Sequence, residues 1–384
     1  MFGMETHNLA KTWVERGRHH TFSMYIQSLA MLPDRFLDLL VIRPEMINML
    51  ELEIPHRALT FLEKLPSGVV FPHLQDLGVR PCVQRPYFIE NCLGWPESVR
   101  VFELAPKLEN VSLEGFNPAS LHLPWHQPKE LRLNNPYFGG RVPYNTARSI
   151  LRKCTFLKVC MVALDIFFVE VNLNSVTLPH LEVLSITINL DRGTCFFESM
   201  ELPQLKNITI VAVPETGVFG EFSVDLRPLA NLQRTSNFSL QRRVLLYMGI
   251  DQDELLDVLL LMRSLTEISL IFVWGLDERF FSSLEDNSDT ALLPCLSALS
   301  TDWRSFPFPN LRSILESRGY PNDLSTSNPS TVAKLTSLTF TVGASFDQSV
   351  FENFEEKGLE LKLDRLNTQD PNPEIALKLT PGQE

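Results

Sequence analysis

Short segments in which apolar and polar residues alternate recur along most of this chain. The clearest is Leu181-Glu-Val-Leu184-Ser-Ile186-Thr-Ile-Asn189, which has the form L-x-x-L-x-I-x-x-N. A shorter segment, Leu131-x-Leu133, belongs to the same set, and the other similar segments begin at Leu74, Leu108, Leu157, Leu205, Leu265, Leu296 and Leu335. Each predicts a β-strand that directs two or three apolar side chains inward and the intervening side chains outward.

The intervals between these segments fit a repeat protein. Central positions 77, 111, 131, 160, 184 and 208 lie 34, 20, 29, 24 and 24 residues apart, and leucine-rich repeats have a period of about 20–29 residues. The 60-residue interval from 208 to 268 predicts a further turn, whose strand we place at Asn237-Phe-Ser-Leu240. Nine occurrences favour a repeat over chance matches in a leucine-rich chain.

Proline and helical segments separate the predicted strands. Three stretches have helical spacing: 145–154, which begins with the capping residue Asn145, and 251–262 and 308–318. Proline cannot donate a ladder hydrogen bond, so it suits the beginning of a strand. It precedes five of the segments by two residues, at Pro72, Pro106, Pro179, Pro203 and Pro294.

The order of elements predicts an α/β fold. We expect an irregular leucine-rich-repeat solenoid with a parallel sheet on its concave side and helices on its convex side. Residues 1–60 would form an N-terminal helix and first strands that cap the solenoid, and residues 61–363 would form degenerate repeats. Residues 364–384 are polar and contain proline, which predicts a disordered tail.

Composition and charge restrict the classes of partner. A chain of 384 residues that is 44% hydrophobic can bury a large core. The formal charge of −12 disfavours nucleic acid and anionic membranes as main partners, and no apolar run is long enough to span a bilayer. Six cysteines without C-x-x-C pairs predict reduced thiols in a cytoplasmic or nuclear protein.

Motifs for catalysis and cofactor binding are missing from the sequence. It contains no P-loop, no G-x-S-x-G and no G-x-G-x-x-G. His122 and His126 are four residues apart, but Pro124 between them makes a helical metal-binding pair unfavourable. We therefore expect no catalytic residue, no cofactor and no metal. An α/β enzyme without a recognisable motif stays open as the alternative.

The outward strand positions are the candidate contact surface for a partner. They are charged toward the N-terminal end and more apolar near Val159 and Met161. An exposed apolar patch often marks a binding site, but a loop folded over this face would explain the apolar residues equally well. The candidates are Asp76, Arg80, Glu114, Arg132, Val159, Met161, Val183, Thr187, Thr209 and Glu267.

Four stretches, in order, resemble the leucine-rich-repeat region of basidiomycete-type fungal F-box proteins. The helix around Trp13 and Arg16 resembles the family's "W-l-x-R-S", and residues 105–113 resemble its "A-P-x-L-x-x-L-x-L" turn. Residues 253–270 resemble its helix-then-strand repeat, and residues 292–318 resemble its "L-L-P-x-L" turn and "S-R" helix. The match spans residues 9–363. It implies an interaction scaffold, the substrate-recognition part of an F-box ubiquitin ligase, with an unknown protein as target.

The F-box itself does not match this sequence. Family members usually begin with this helical segment, which docks on the adaptor of a cullin-type ligase. Residues 32–40 imitate its opening, but residues 46–54 alternate as a strand where further helices are needed. Either the gene model is truncated, or the chain is a stand-alone binding module with no ligase link. An adaptor is therefore a partner only if an F-box is restored.

Overall fold

The computed structural model describes residues 21–27, 40–54, 60, 62–81, 98–115, 117–133, 141–165, 175–188, 193–213, 223–285, 291–302, 308–318, 332–342 and 348–365. The chain divides into two compact units. Unit 1 comprises Met1–Glu170 with Val176–Leu181, and unit 2 comprises Val171–Ser175 with Glu182–Glu384. Each is mixed α/β with a parallel sheet, which confirms the predicted class. The divisions at 60 and 363 stay predictions. The first helix and residues 366–384 of the predicted tail lie outside the described residues, whereas residues 364 and 365 belong to the last strand and not to a disordered tail.

The sheet of unit 1 is parallel and follows the chain order. Its strands are β1 (Phe22–Gln27), β2 (Ile47–Ile54), β3 (Asp76–Pro81), β4 (Asn110–Leu113), β5 (Glu130–Leu133) and β7 (Val159–Asp165), with β6 (Val142–Pro143) beside β7. Unit 1 also contains β8 (Val176–Thr177), helix α1 (Tyr144–Leu151) and short 3-10 helices at Pro44–Met46 and Pro118–Ser120. Strand β2 confirms the predicted alternation at 46–54. The predicted cap at Asn145 is wrong, because α1 begins directly after Pro143 and has no side-chain cap.

The sheet of unit 2 has the same plan. Its strands are β9 (Val183–Ile188), β11 (Asn207–Ala212), β13 (Arg242–Ile250), β14 (Glu267–Trp274), β15 (Ala298–Asp302), β16 (Ser337–Val342) and β17 (Glu360–Arg365), with β12 (Ser223–Val224) beside β13 and β10 (Met200–Glu201) elsewhere in the unit. The helices are α2 (Arg227–Ser236), α3 (Gln252–Leu260), α4 (Glu278–Glu285), α5 (Phe308–Ser317) and α6 (Glu352–Glu356). Helices α3 and α5 confirm the two predicted there.

The prolines lie in turns before the strands. We had predicted them at the beginning of the strands. Pro72 is the second residue of a turn in which the Leu74 amide donates to the Phe71 carbonyl at 3.3 Å. The same bond joins Leu181 to Leu178 at 3.3 Å and Leu205 to Leu202 at 3.2 Å. Proline suits this place because its fixed φ matches the second position of a turn. The last residue of each turn is a buried leucine, and the strand begins two residues after it.

Consecutive strands are also tied by a repeated hydrogen bond just before each strand begins. The Glu182 carbonyl accepts the amides of Lys206 and Asn207, and the Lys206 carbonyl accepts those of Gln241 and Arg242. The Gln241 carbonyl in turn accepts from Thr266 and Glu267. These shared carbonyls fix the register, so residues at the same position of successive segments lie side by side.

An additional strand lies between residues 208 and 268, as predicted, but its predicted position was wrong. The strand is β13, and Asn237–Leu240 lies between α2 and β13. The segment reads Leu240-x-x-Arg243-x-Leu245, and Arg243 pairs with Ile208 on one side and Ile268 on the other. The sequence pattern of this segment was not recognised because an arginine occupies an inward position that is apolar in the neighbouring strands. Arg243 has no exposed surface.

A second buried arginine, Arg318, connects three chain segments. It follows α5 and is 1% exposed. Its Nε donates to the Leu284 carbonyl at 2.7 Å, Nη1 to Leu293 at 3.1 Å and Nη2 to Leu292 at 2.7 Å. Desolvation lowers the pKa of Arg318 to about 10, so the guanidinium is still charged at neutral pH. The "L-L-P-x-L" turn and the "S-R" helix of the sequence resemblance are therefore in direct contact.

Candidate functional site

Nine of the ten candidate residues have exposed or half-buried side chains on the strand face opposite the core, as predicted. The exception is Thr187, which has the outward position of β9 but is only 7% exposed. Expecting Thr187 to be available for contact was wrong. Whether any of the ten binds a partner stays a prediction.

We define the outer face of unit 1 as three rows of outward residues that cross its strands. All of them are exposed or half-buried. The register places Ser23, Met49, Asp76, Asn110, Glu130 and Val159 in the first row, Tyr25, Glu51, Gly78, Ser112, Arg132 and Met161 in the second, and Gln27, Glu53, Arg80 and Glu114 in the third.

A polar network lies at the β1 end of this face. The Tyr25 hydroxyl donates to Glu53 Oε2, and Arg80 Nη2 lies 3.1 Å from the same carboxylate oxygen. Arg80 Nη2 also donates to the Tyr25 hydroxyl at 3.4 Å. The hydrogen bond from Tyr25 holds the pKa of Glu53 below its ordinary value, and the same bond raises the pKa of Tyr25. These three side chains therefore hold one another in place on three neighbouring strands.

A recess opens next to this network, where Gly78 interrupts the row of side chains. Its volume is about 40 Å³, and it is bounded by Glu51, Arg80, Ser112 and Glu114. A Cβ atom at residue 78 would lie 3.2 Å from Glu51 Cγ, so any side chain there would displace the Glu51 side chain by a few tenths of an ångström. Glycine in a strand weakens the strand but allows another group to approach the backbone closely.

The β7 end of the outer face is less charged. Arg132 pairs with Glu130 on its own strand at 2.6 Å, and Val159 and Met161 are half-buried. Ala163, two residues further along β7, is only 1% exposed. The apolar patch predicted around Val159 and Met161 is thus neither fully open nor fully covered, and it closes toward the carboxyl end of the strand.

The outward side of unit 2 differs, because the row at the carboxyl ends of its strands is buried. Val183 and Glu267, near the amino ends, are half-buried. The buried row continues across six strands, with exposed fractions of 0–8%, through Thr187, Val211, Leu246, Ile271, Asp302 and Thr341. Val211, Leu246 and Ile271 form an apolar cluster with Val244, against which the side chains of Tyr247 and Phe272 pack.

Asp302 serves a structural purpose in this row. Its Oδ2 accepts the Phe272 backbone N–H at 2.6 Å. Phe272 and its neighbour Tyr247 have positive φ angles of 53° and 58°, and their rings stack with centroids 5.0 Å apart. Positive φ is strained for aromatic residues, so the carboxylate and the stacking stabilise a bend shared by two adjacent strands.

A second concave region of unit 1 lies beside α1, away from the outer face. This cleft has a volume of about 720 Å³, and its lining includes Glu103, His122, His126, Ser149 and Lys153. His122 Nε2 is 3.0 Å from Ser98 Oγ. In the described part of the chain, no group of three His, Cys, Asp or Glu side chains could hold a metal ion.

None of the four cysteines in the described residues is part of a disulfide bond. Cys154 and Cys160 are buried, Cys195 is half-buried and Cys295 is exposed. Burial raises the pKa of Cys154 to about 12 and that of Cys160 further, so both are protonated at neutral pH. Cys82 and Cys92 lie outside the described residues.

Comparison with known proteins leaves the family open. No protein-family model matches the chain, and no curated protein matches it either. Among the described residues, no helix is both long and apolar enough to cross a bilayer.

The sequence contained signals for the residues that the candidate set missed. Glu51 and Glu53 follow from the alternation seen at 46–54, and Gly78 is a glycine within a strand pattern, which indicates a close backbone approach. Tyr25 comes directly after residues 9–24, which resemble the family's first helix and the strand that follows it. Only the register of β1–β3 brings these four residues together.

Proposed function

We propose that each unit is a short stack of leucine-rich repeats, and that the protein is an interaction scaffold that binds a protein partner on the outer face of unit 1. The sheet would line the concave side of each stack and the helices the convex side. The repeated turn before each strand and the shared carbonyls support the repeat assignment. The proposal assigns binding rather than catalysis, and the cysteine pattern supports a cytoplasmic or nuclear protein.

The observation that carries the binding proposal is the difference between the two outward faces. In unit 2 the carboxyl-end row is buried, and its polar members include Asp302, whose carboxylate bonds the backbone. In unit 1 the three rows are accessible along β1–β5 and mix charged, aromatic and apolar side chains, and burial at the carboxyl end begins only at Ala163 of β7. Arg and Tyr are enriched in protein interfaces, and the ion pairs of Arg80 and Arg132 order their side chains before a partner arrives.

Substitutions on the two sides of unit 1 test the binding surface. Immobilised wild-type chain and the variants Arg132→Glu and Met161→Arg are compared for proteins retained from an extract of the source organism. Lys153→Glu, at the exposed end of the α1 cleft, is the control. We expect partners kept by the wild type and the control to be lost from both outer-face variants, while all four proteins melt at similar temperatures. Loss from the control alone would assign binding to the cleft.

The F-box resemblance supports a narrower form of the proposal, in which the scaffold recognises substrates for a ubiquitin ligase. The contact between Arg318 and the Leu292–Leu293 turn gives the two motifs at 292–318 a shared structural reason. A pull-down with the ligase adaptor, using the 384-residue chain, tests this form. Retention of the adaptor supports it, and no association leaves the stand-alone binding module.

A further inference from the structure

Carboxylates outnumber cationic groups on the outer face of unit 1. Along β1–β5 and the residue after β4, this face carries the acidic side chains of Glu51, Glu53, Asp76, Glu114 and Glu130 against the cations Arg80 and Arg132. The chain as a whole has a formal charge of −12. A surface with this excess attracts a cationic partner and repels an acidic one.

The two cations are already paired within the face. Arg80 lies 3.1 Å from Glu53, and Arg132 lies 2.6 Å from Glu130. Asp76 accepts a hydrogen bond from Asn110 at 2.6 Å. Two carboxylates have weaker internal partners: Glu51 is 4.0 Å from Arg80, and no cation in the described part of the chain lies within 4.0 Å of Glu114. The negative charge that no close cation among the described residues offsets therefore lies on Asp76, Glu51 and Glu114, and of these Glu51 and Glu114 border the recess.

These two carboxylates border the recess over Gly78. The recess, of about 40 Å³, has the Gly78 backbone and the Ser112 side chain between the two acids, and its lining also includes Arg80, whose guanidinium is held by Glu53 at 3.1 Å. It has room for one ammonium or guanidinium head but not for a large side chain or a base. Tyr25, paired with Glu51 and half exposed, adds an aromatic surface beside it that suits a cation.

We propose that the partner binds through a basic segment, with a lysine or arginine side chain seated over Gly78 between the carboxylates of Glu51 and Glu114. This inference rests on the proposed function, because it specifies the chemistry of the partner on the same face. The carboxylates accept hydrogen bonds from the cationic head, and Ser112 supplies a neutral oxygen acceptor.

Three variants of the full chain separate the recess from the general charge of the protein. Glu114→Gln removes one carboxylate and keeps the shape of its side chain. Gly78→Val fills the recess, and because its Cβ atom would lie 3.2 Å from Glu51 Cγ, the Glu51 side chain must shift; the melting temperature of the variant shows whether the fold is kept. Glu103→Gln removes the same charge from an exposed site beside the α1 cleft and is the matched control.

The probe is a phage library of short random peptides selected on the immobilised wild-type chain. Fluorescence anisotropy then measures the Kd of the enriched peptide and of its analogue with every Lys and Arg replaced by Gln. We expect enrichment of Lys and Arg. Glu114→Gln and Gly78→Val should each raise the Kd by about tenfold, and Glu103→Gln should change it less than about twofold. Salt should weaken binding, and the Gln analogue should not bind.

Other outcomes overturn the inference in distinguishable ways. Enriched peptides without cationic residues whose binding is lost in Met161→Arg would contradict the basic partner and leave the outer face as the binding surface. Basic peptides weakened equally by Glu103→Gln would show attraction to net charge alone and contradict the recess. A selection without binders contradicts the inference, and peptides insensitive to every outer-face substitution contradict both the inference and the proposed function.

Discussion

Arg243 lies in the core of unit 2 with its Nη1 atom 3.7 Å from the sulfur atom of Met262. Its Nε and Nη2 atoms are fully buried and have no hydrogen-bond partner among the residues that the structure describes. Desolvation lowers the pKa of Arg243 to about 9, which still leaves the guanidinium charged at neutral pH. A buried charge without an ion pair destabilises the folded chain. The neighbouring strands place Ile208 and Ile268 at this position.

We therefore expect Arg243→Met to stabilise unit 2. Replacing the charge by an apolar side chain of similar length should raise the free energy of unfolding by about 1–4 kcal/mol, as measured by urea denaturation. The control is Arg242→Met at the preceding residue, whose guanidinium is 2.8 Å from Glu267. That change should have no effect or lower the free energy of unfolding slightly. A lower free energy of unfolding in Arg243→Met would show that the guanidinium has hydrogen-bond partners in solution.

Arg318→Met should have the opposite effect, because this buried arginine has three carbonyl partners. Its removal leaves the carbonyls of Leu284, Leu292 and Leu293 without their donors. We expect the free energy of unfolding to fall by about 3 kcal/mol, measured by the same denaturation experiment. Arg318→Lys keeps the charge but cannot supply the three-bond fork and should lie between wild type and Met. Equal stabilities of the Arg243 and Arg318 variants would contradict the account of both.

Asp302→Ala tests the bend shared by β13 and β14. The substitution removes the acceptor of the Phe272 N–H and leaves that donor buried, so the free energy of unfolding should fall by about 1–3 kcal/mol. Asp302→Asn keeps an oxygen acceptor and should lose less. Thermal unfolding followed by near-ultraviolet circular dichroism measures stability and the Tyr247–Phe272 environment together. Unchanged stability in the Ala variant would mean that the bend holds without the carboxylate.

The Tyr25–Glu53–Arg80 network should make stability depend on pH in the acidic range. The folded-state pKa of Glu53 is lowered from 4.5, mainly by the hydrogen bond from Tyr25. The folded state therefore binds its proton less readily than the unfolded state, so the contribution is present above 4.5 and is lost as pH falls through the folded-state value. Because the site is near the surface, its size is limited to about 1 kcal/mol. Denaturation across this pH range should show a smaller acid-dependent loss of the free energy of unfolding in Glu53→Gln than in the wild type. Equal changes of the free energy of unfolding with pH would contradict the network.

Thiol labelling should distinguish the cysteines by burial. A thiol reagent at neutral pH should modify Cys295, which is exposed, and spare Cys154 and Cys160, which are buried and have raised pKa values. Peptide mapping by mass spectrometry identifies the modified sites, and labelling in denaturant is the control for chemical competence. Rapid modification of Cys154 in the native chain would contradict its burial.

The strands and their parallel order could be predicted from the sequence because each is encoded locally by buried leucines at fixed spacing. The strand that contains Arg243 could not be located from the sequence, because a charged residue stands at the central inward position where the pattern requires an apolar one. Pairing with Ile208 and Ile268, which identifies that position, is a long-range property.

Availability of the outward residues was predictable only in part. Thr187 and Thr209 both lie at outward positions of adjacent strands, yet Thr187 is 7% exposed and Thr209 is half-buried. Alternation fixes the direction of a side chain but not what packs over it, which depends on the position along the strand. The charged face of unit 1 was predicted, whereas the recess at Gly78 needed the register of three strands.

Site-specific photo-crosslinking tests the central claim most directly. A photoreactive amino acid replaces Arg132 on the outer face of unit 1 in one protein and Ser149, an exposed residue of α1 beside the cleft, in another. Both are irradiated in an extract of the source organism, and crosslinked proteins are identified by mass spectrometry. The account predicts a defined protein crosslinked at position 132 and not at position 149. A defined protein crosslinked at 149 and none at 132 would contradict it.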